Sequence, residues 1–315
     1  MKKYIFTTIL FLFGIFGTVS AQSRNENANR QSARSDKLTG GTIEKTVLQT
    51  GDADLKITVN VPAFQLTLWQ NGKEVKTYWV GVGMKDYPIY IGLRRASAVI
   101  WNPTWIPPNS EWVTGHKGVK VGEVIKPTDP RNPIGKMKIP LGDGFLIHQA
   151  KGLNDLGNLV SHGCVRMMKA DLYDLGEKIV AARSLPVSAK QIAVAKLNLK
   201  TLTADVTPPV PVEITYDTQV VEAGRLHIYP DVYDRQTNTV ANLRAELESS
   251  GVDSSGLKDK TLEQMMARAT AKKQLVVSVK SLKSGVLTTA QSLPVVMRGS
   301  AKSTNRAAPK RRAAR

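Results

Sequence analysis

Two runs of alternating apolar and polar residues meet at Asn71-Gly72, and no other feature constrains the fold of this chain as strongly. Both central residues of a tight two-residue hairpin turn need positive φ, which asparagine tolerates and glycine adopts freely. Before the turn, Leu55, Ile57, Val59 and Val61, then Phe64, Leu66 and Leu68, alternate with polar neighbours. After it, Val75, Thr77 and Trp79 resume the alternation. Period-two patterning marks half-buried strands, so a β-meander opens the ordered part of the chain at Leu55.

The next stretch, 87–140, is punctuated by proline and glycine, with short β-like pieces such as Ser97–Ile100. Proline lacks the ladder donor, so Trp101-Asn102-Pro103-Thr104-Trp105-Ile106-Pro107-Pro108 is not expected to be a central strand. Its two tryptophans belong either to the core or to the wall of a groove. Phe145-Leu146-Ile147 reads as a short strand that delivers His148 to its end, and 149–158 as a loop. Met168, Leu172, Leu175 and Ile179 recur at helical spacing. That periodicity places Cys164 where a strand or loop turns into a helix N-terminus. Further on, alternation predicts strands at Val210–Tyr216, Leu226–Tyr229 and Leu275–Val279, and helices around Val240–Leu247 and Leu262–Ala269.

The first residues combine Lys2-Lys3, an apolar run from Tyr4 to Val19, and small residues up to Ala21, the pattern of a secretory signal peptide over 1–21. The alternative is a run retained as an anchor. Residues 22–52 are rich in Ser, Asn, Arg and Gln and read as a flexible linker. Export to a periplasm or cell envelope is the resulting expectation. The chain has a single cysteine in 315 residues. An unpaired cysteine outside the cytoplasm implies an intermolecular bond or a free reactive thiol. Of the net charge of +18, six charges sit in the last fifteen residues, where Lys302, Arg306, Lys310, Arg311, Arg312 and Arg315 stand without an acid. For an exported chain this favours anionic wall polymers or lipid headgroups over nucleic acid, or a solvated, disordered basic tail at 296–315.

Cys164 lies in Ser161-His162-Gly163-Cys164-Val165-Arg166-Met167, and His148 stands upstream of it. The thiolate, not the thiol, is the nucleophile, and a histidine within reach can take the proton. A helix N-terminus would add a favourable dipole. Gly163 permits an unusual backbone angle, and backbone N–H groups at Gly163 and Cys164 could hold an oxyanion. On an extended segment His162 and Cys164 would point the same way. Other readings stay open from the residues alone: Cys164 as a buried, inert thiol, His148 as a core histidine, or His148, His162 and Cys164 as three metal ligands. His116 and His227 read as structural or exposed.

These residues resemble the L,D-transpeptidase catalytic domain family, which cross-links bacterial peptidoglycan and carries an upstream histidine followed by Ser/Thr-His-Gly-Cys. The resemblance covers about 53–215 and, with Asn102–Pro108 and Asn132-Pro133-Ile134-Gly135, is most like the periplasmic branch. It implies a mainly β, sandwich-like catalytic domain with the cysteine in a groove, and a helix after it. The remainder, 216–295, reads as a small α+β appendage. The implied chemistry is acyl transfer from tetrapeptide stems through a Cys164 thioester, with loss of D-Ala and transfer to an amine on a second stem or a lipoprotein. His148 is the implied base, His162 and Gly163 complete the site, and Ser161, Arg166 and Trp105 would bind substrate. Arg166 would meet a stem carboxylate or pair with Asp171. No metal or cofactor is implied. An L,D-carboxypeptidase of the same family and a non-catalytic wall-binding protein are the alternative functions. The chain departs from the family pattern in a shorter interval between His148 and Ser161, in Arg166, and in Gln149 after the histidine.

Overall fold

The hairpin forms at the predicted turn. In the computed structural model, which describes residues 54–114, 118–284 and 290–296, Asn71 and Gly72 take φ of 51° and 72°. They join β2 (Gln65–Gln70) to β3 (Lys73–Trp79), while β2 pairs on its other side with β1 (Leu55–Asn60). The alternation of β1 is reproduced in its burial, with Leu55, Ile57 and Val59 inside. The proposed signal peptide, the linker, His116 and all of the basic tail except Val296 lie outside the described residues.

The strands continue with β4 (Val82–Gly83), β5 (Gly92–Trp101), β6 (Met137–Gly142), β7 (Phe145–Gln149), β8 (Leu159–Ser161), β9 (Val165–Met167) and β10 (Leu202–Thr215). Helix α1 (Glu111–Thr114) lies in the loop after β5, α2 (Lys169–Ala182) follows β9, and α3 (Ala189–Leu197) precedes β10. The mainly β expectation holds. Eight strands form one mixed sheet in the order β3-β2-β1-β10-β5-β6-β7-β9, and β4 pairs with β8 in a small parallel ladder beside it.

Strand β10 sits in the middle of that sheet, parallel to β1 and antiparallel to β5. It does so despite Pro208 and Pro209, because the register shifts between Asp205 and Val210 and the prolines fall in the irregularity. Trp101 ends β5 fully buried. Asn102, at φ 46°, turns the chain there. Its side-chain amide donates to the carbonyls of Ala195, Asn198 and Lys200, closing the C-terminal end of α3.

Helix α2 buries Leu172, Leu175, Gly176, Ile179 and Val180, the face anticipated from the apolar spacing. Gly176 is where it approaches the sheet most closely. A Cβ there would lie 1.9 Å from Met137 Cε and 2.9 Å from Val99 Cγ1. Gly176→Ala is therefore expected to destabilise the fold by about 1–3 kcal/mol, as overpacking does. An unchanged urea midpoint would refute this account of the helix–sheet contact.

The C-terminal part contributes β11 (Gln219–Glu222), β12 (Arg225–Ile228), α4 (Val240–Ser249), α5 (Asp259–Met266), β13 (Lys273–Ser278), α6 (Val279–Lys283) and β14 (Gln291–Pro294). Strands β11-β12-β13-β14 make a second sheet. One of its faces packs Leu226, Ile228, Leu275 and Val277 against Leu243, Leu247 and Leu262 in a core of its own. Tyr229, Val232 and Val295 belong instead to the large core of the main sheet. The region thus has its own apolar centre and is also packed into the main core.

Candidate active site

The register of β7 against β9 places the two candidate catalytic side chains. Ile147 pairs with Val165 and His148 with Arg166 in a parallel ladder. Alternation then sends Ile147, Val165 and Met167 into the core, and His148, Arg166 and Cys164 to the opposite face. Cys164 is free and partly exposed. Ser161, itself buried, donates from Oγ to the Cys164 carbonyl at 2.5 Å, which ties the tight segment across Gly163.

Gly163 has φ of 102°. A Cβ there would lie 2.5 Å from the Phe145 ring, so both conformation and space require glycine. The kink at Gly163 breaks the extended geometry expected for His162 and Cys164. His162 is exposed and lies between two aromatic rings. It stacks on Trp112 at 4.4 Å between centroids and 13° between planes, and meets Tyr87 edge-on at 4.6 Å.

Trp105 is buried and stacks on Trp112 at 6.2 Å, within a small apolar cluster with Ile125 and Ile134. It reaches the site through Trp112, the ring that touches His162. Neither Trp112 nor Tyr87 was singled out from the sequence. Trp112 follows a proline-rich run that gives no periodic signal, and Tyr87 follows the meander in a loop.

The expectation that Cys164 stands at a helix N-terminus is corrected by the structure. Strand β9 intervenes and α2 begins only at Lys169, so no helix dipole acts on the thiol at close range. Burial pushes the Cys164 thiol up, while the Leu146 backbone and the Arg166 charge pull it down less strongly. His148 is buried, and burial with the charge of Arg166 lowers it from 6.5 to about 4. The backbones of Ile134 and Gln149 favour its protonated form, yet Nδ1 has no hydrogen-bond partner of good geometry among the described residues. The resting site therefore holds a thiol and a neutral imidazole.

The pairing of Arg166 with Asp171, one of the two roles expected for it, is also corrected. Arg166 pairs with Asp155 at 3.1 Å, with both side chains only 12% exposed. Asp155 also accepts from the Lys151 backbone at 2.8 Å, while Asp171 faces Lys76. Held this way, Arg166 is a fixed positive charge on the face that carries Cys164 and His148. Among the described residues no group of three His, Cys, Asp or Glu side chains converges as metal ligands.

Directly after His148, a groove of about 480 Å³ is lined by Arg131, Asn132, Gly135, Gln149 and Lys151, among others. Gln149 accepts from the Lys136 backbone at 2.9 Å and fills the space that any side chain at Gly135 would need.

A β-sheet domain that presents one free thiol and one buried imidazole from adjacent parallel strands is the class this geometry defines. Residues 54–192 match the YkuD family, the L,D-transpeptidase catalytic domain. Over that stretch the chain is similar to the L,D-transpeptidase family. It is 28% identical over 122 residues to "Probable L,D-transpeptidase YbiS" of Escherichia coli (strain K12), covering 35% of this chain and 40% of that protein. To "Probable L,D-transpeptidase ErfK/SrfK" of the same organism it is 27% identical over 119 residues, covering 38% of this chain and 34% of that one. The chain thus spans less than half the length of these curated relatives. A solved "L,D-transpeptidase from Mycobacterium smegmatis" is 14% identical, covers 52% of this chain and 59% of that chain, and has a TM-score of 0.33.

Proposed function

We propose that this protein is an L,D-transpeptidase acting on the tetrapeptide stems of peptidoglycan, through a thioester on Cys164. The observation that carries the reading is the thiol and the imidazole on one face of the β7–β9 ladder, inside the stretch that matches the family.

In the first half-reaction, His148 takes the Cys164 proton as sulfur attacks the carbonyl carbon of the L-centred third residue of the stem. The C–N bond to D-Ala then breaks, and the imidazolium returns its proton to the departing amine. In the second half-reaction an amine attacks the thioester, loses its proton to His148, and displaces the thiol. Backbone N–H groups at Gly163 and Cys164 serve the oxyanion. Because burial disfavours thiolate and imidazolium alike, the proton moves when substrate arrives rather than in the resting enzyme. Arg166 eases formation of the thiolate and keeps His148 free to accept.

His162, between Trp112 and Tyr87, shapes the approach to the thiol, and Ser161 fixes the turn. The groove beside Gln149 and Lys151 is the candidate seat for a stem peptide. The amine is a second stem or a lipoprotein lysine, in an exported protein of the cell envelope, with no cofactor required. Water in place of the amine would make the enzyme an L,D-carboxypeptidase.

Incubating the purified protein with tetrapeptide muropeptides, with and without an acceptor stem, separates these outcomes by product mass. Cross-linked dimer is the expected product. Tripeptide alone assigns the carboxypeptidase, and no turnover of any stem would overturn the enzymatic reading in favour of a wall-binding protein.

A further inference from the structure

The C-terminal region touches the loop that carries Tyr87, and Tyr233 is the more buried part of that contact. Tyr233 donates from its hydroxyl to the Gly83 carbonyl at 2.9 Å, and the same oxygen receives the Ile89 N–H at 3.4 Å. It therefore clasps the 83–89 loop at both ends. That loop is seated on the reactive segment. The Met84 N–H donates to the Ser161 carbonyl at 2.8 Å, and the Tyr87 ring meets His162. A Cβ on Gly83 would lie 3.0 Å from the Gly163 Cα and 2.2 Å from the Tyr87 carbonyl, so no slack exists between loop and motif.

Tyr233 is itself held in place. Its backbone N–H donates to the Tyr216 hydroxyl at 2.6 Å, its ring stacks on Tyr216 at 5.6 Å, and Arg235 lies over both rings. Asp231 accepts from the Tyr216 hydroxyl and from the Arg235 and Thr237 backbones. Lys85 and Asp234 form a second, exposed link across the same contact. Burial pushes the Tyr233 phenol up to about 12, so its hydroxyl keeps the proton it donates.

We infer that the C-terminal region positions the active-site loop, with Tyr233 as the clasp that sets how closely the 83–89 loop closes over Gly163, His162 and Cys164. Tyr233 touches none of the reacting atoms and acts through the loop, so it is a positioning residue. The inference rests on the assignment of Cys164 as the reactive thiol.

The test uses the full chain and its single cysteine. The second-order rate of iodoacetamide alkylation of Cys164 is followed across pH, by intact mass, in the wild type and in Tyr233→Phe. This readout needs no peptidoglycan chemistry, so it stands whether or not muropeptides turn over. Loss of the clasp is expected to raise the alkylation rate by up to about tenfold at neutral pH. Where muropeptides are turned over, kcat should fall more than KM rises. Leu247→Ala, which hollows the C-terminal core away from the loop, serves as a control that lowers the melting temperature and leaves alkylation at the wild-type rate. Wild-type alkylation and pH profile in Tyr233→Phe would overturn the inference, and so would an equal change in Leu247→Ala. Should Tyr233→Phe fail to fold, Tyr216→Phe, which releases the Tyr233 backbone and spares its hydroxyl, carries the same comparison.

Discussion

Replacing Cys164 by alanine is expected to lower acyl transfer by at least about ten-thousandfold, because removal of a covalent nucleophile leaves only binding and oxyanion contacts. The chain has no second cysteine to substitute for it. The side chain is partly exposed, so the truncation opens no large cavity, and the melting temperature should stay close to that of the parent. The turn at Gly163 is held by the Ser161 hydroxyl on a backbone carbonyl, which alanine retains. Muropeptide turnover and the mass of any covalent β-lactam adduct are the two measurements. Residual turnover above background, or an adduct on the variant, would remove Cys164 from its assigned role.

What could be read in the chain, and what could not, follows the range of the interactions. The hairpin at Asn71-Gly72 is a local feature, and its turn and both flanking strands stand where expected, although a register shift beside the turn leaves β3 burying Glu74 and Tyr78 rather than Val75, Thr77 and Trp79. The same holds for α2, whose buried face is spelled out by Leu172, Leu175 and Ile179. The 216–295 stretch was foreseen as strands and helices, yet β11 and β14, whose burial does not alternate, were missed. Strand β9 was missed for a like reason, since three residues carry no measurable period, and with it went the argument for a helix dipole on Cys164.

The site divides the same way. As candidates, Cys164, His148 and Gly163 can be picked out because their chemistry is unusual wherever they sit in the fold. Trp112 and Tyr87 around His162, Asp155 beneath Arg166, and Tyr233 on Gly83 are juxtapositions of distant segments, and no local pattern announces them. The pairing of Arg166 shows the consequence most clearly. Asp171 is nearer the helix start, but the side of the sheet on which Arg166 emerges decides its partner, and only the β7–β9 register reveals that side.

His148→Gln should slow acylation by about a thousandfold, in the range that a positioned general base contributes. In the parent enzyme the acid limb of kcat/KM should fall near 4 rather than 6.5, because burial and Arg166 keep the imidazole neutral and able to accept a proton well below its ordinary range. The same shift makes a prediction about stability, with the opposite face of the linkage. The unfolded chain takes a proton on this histidine near 6.5 and the folded chain only near 4. Between those values the unfolded state binds more protons, so stability falls as pH drops from 6.5 toward 4 and is unaffected by this group at higher pH. The full difference is on the order of 3 kcal/mol. Urea unfolding across that interval should therefore show a steep loss in the parent and a shallower one in His148→Gln, since glutamine does not titrate. Identical slopes would mean that His148 is not the buried neutral base described above. Unchanged acylation in the variant would pass the base role to His162, whose ring is held between Trp112 and Tyr87.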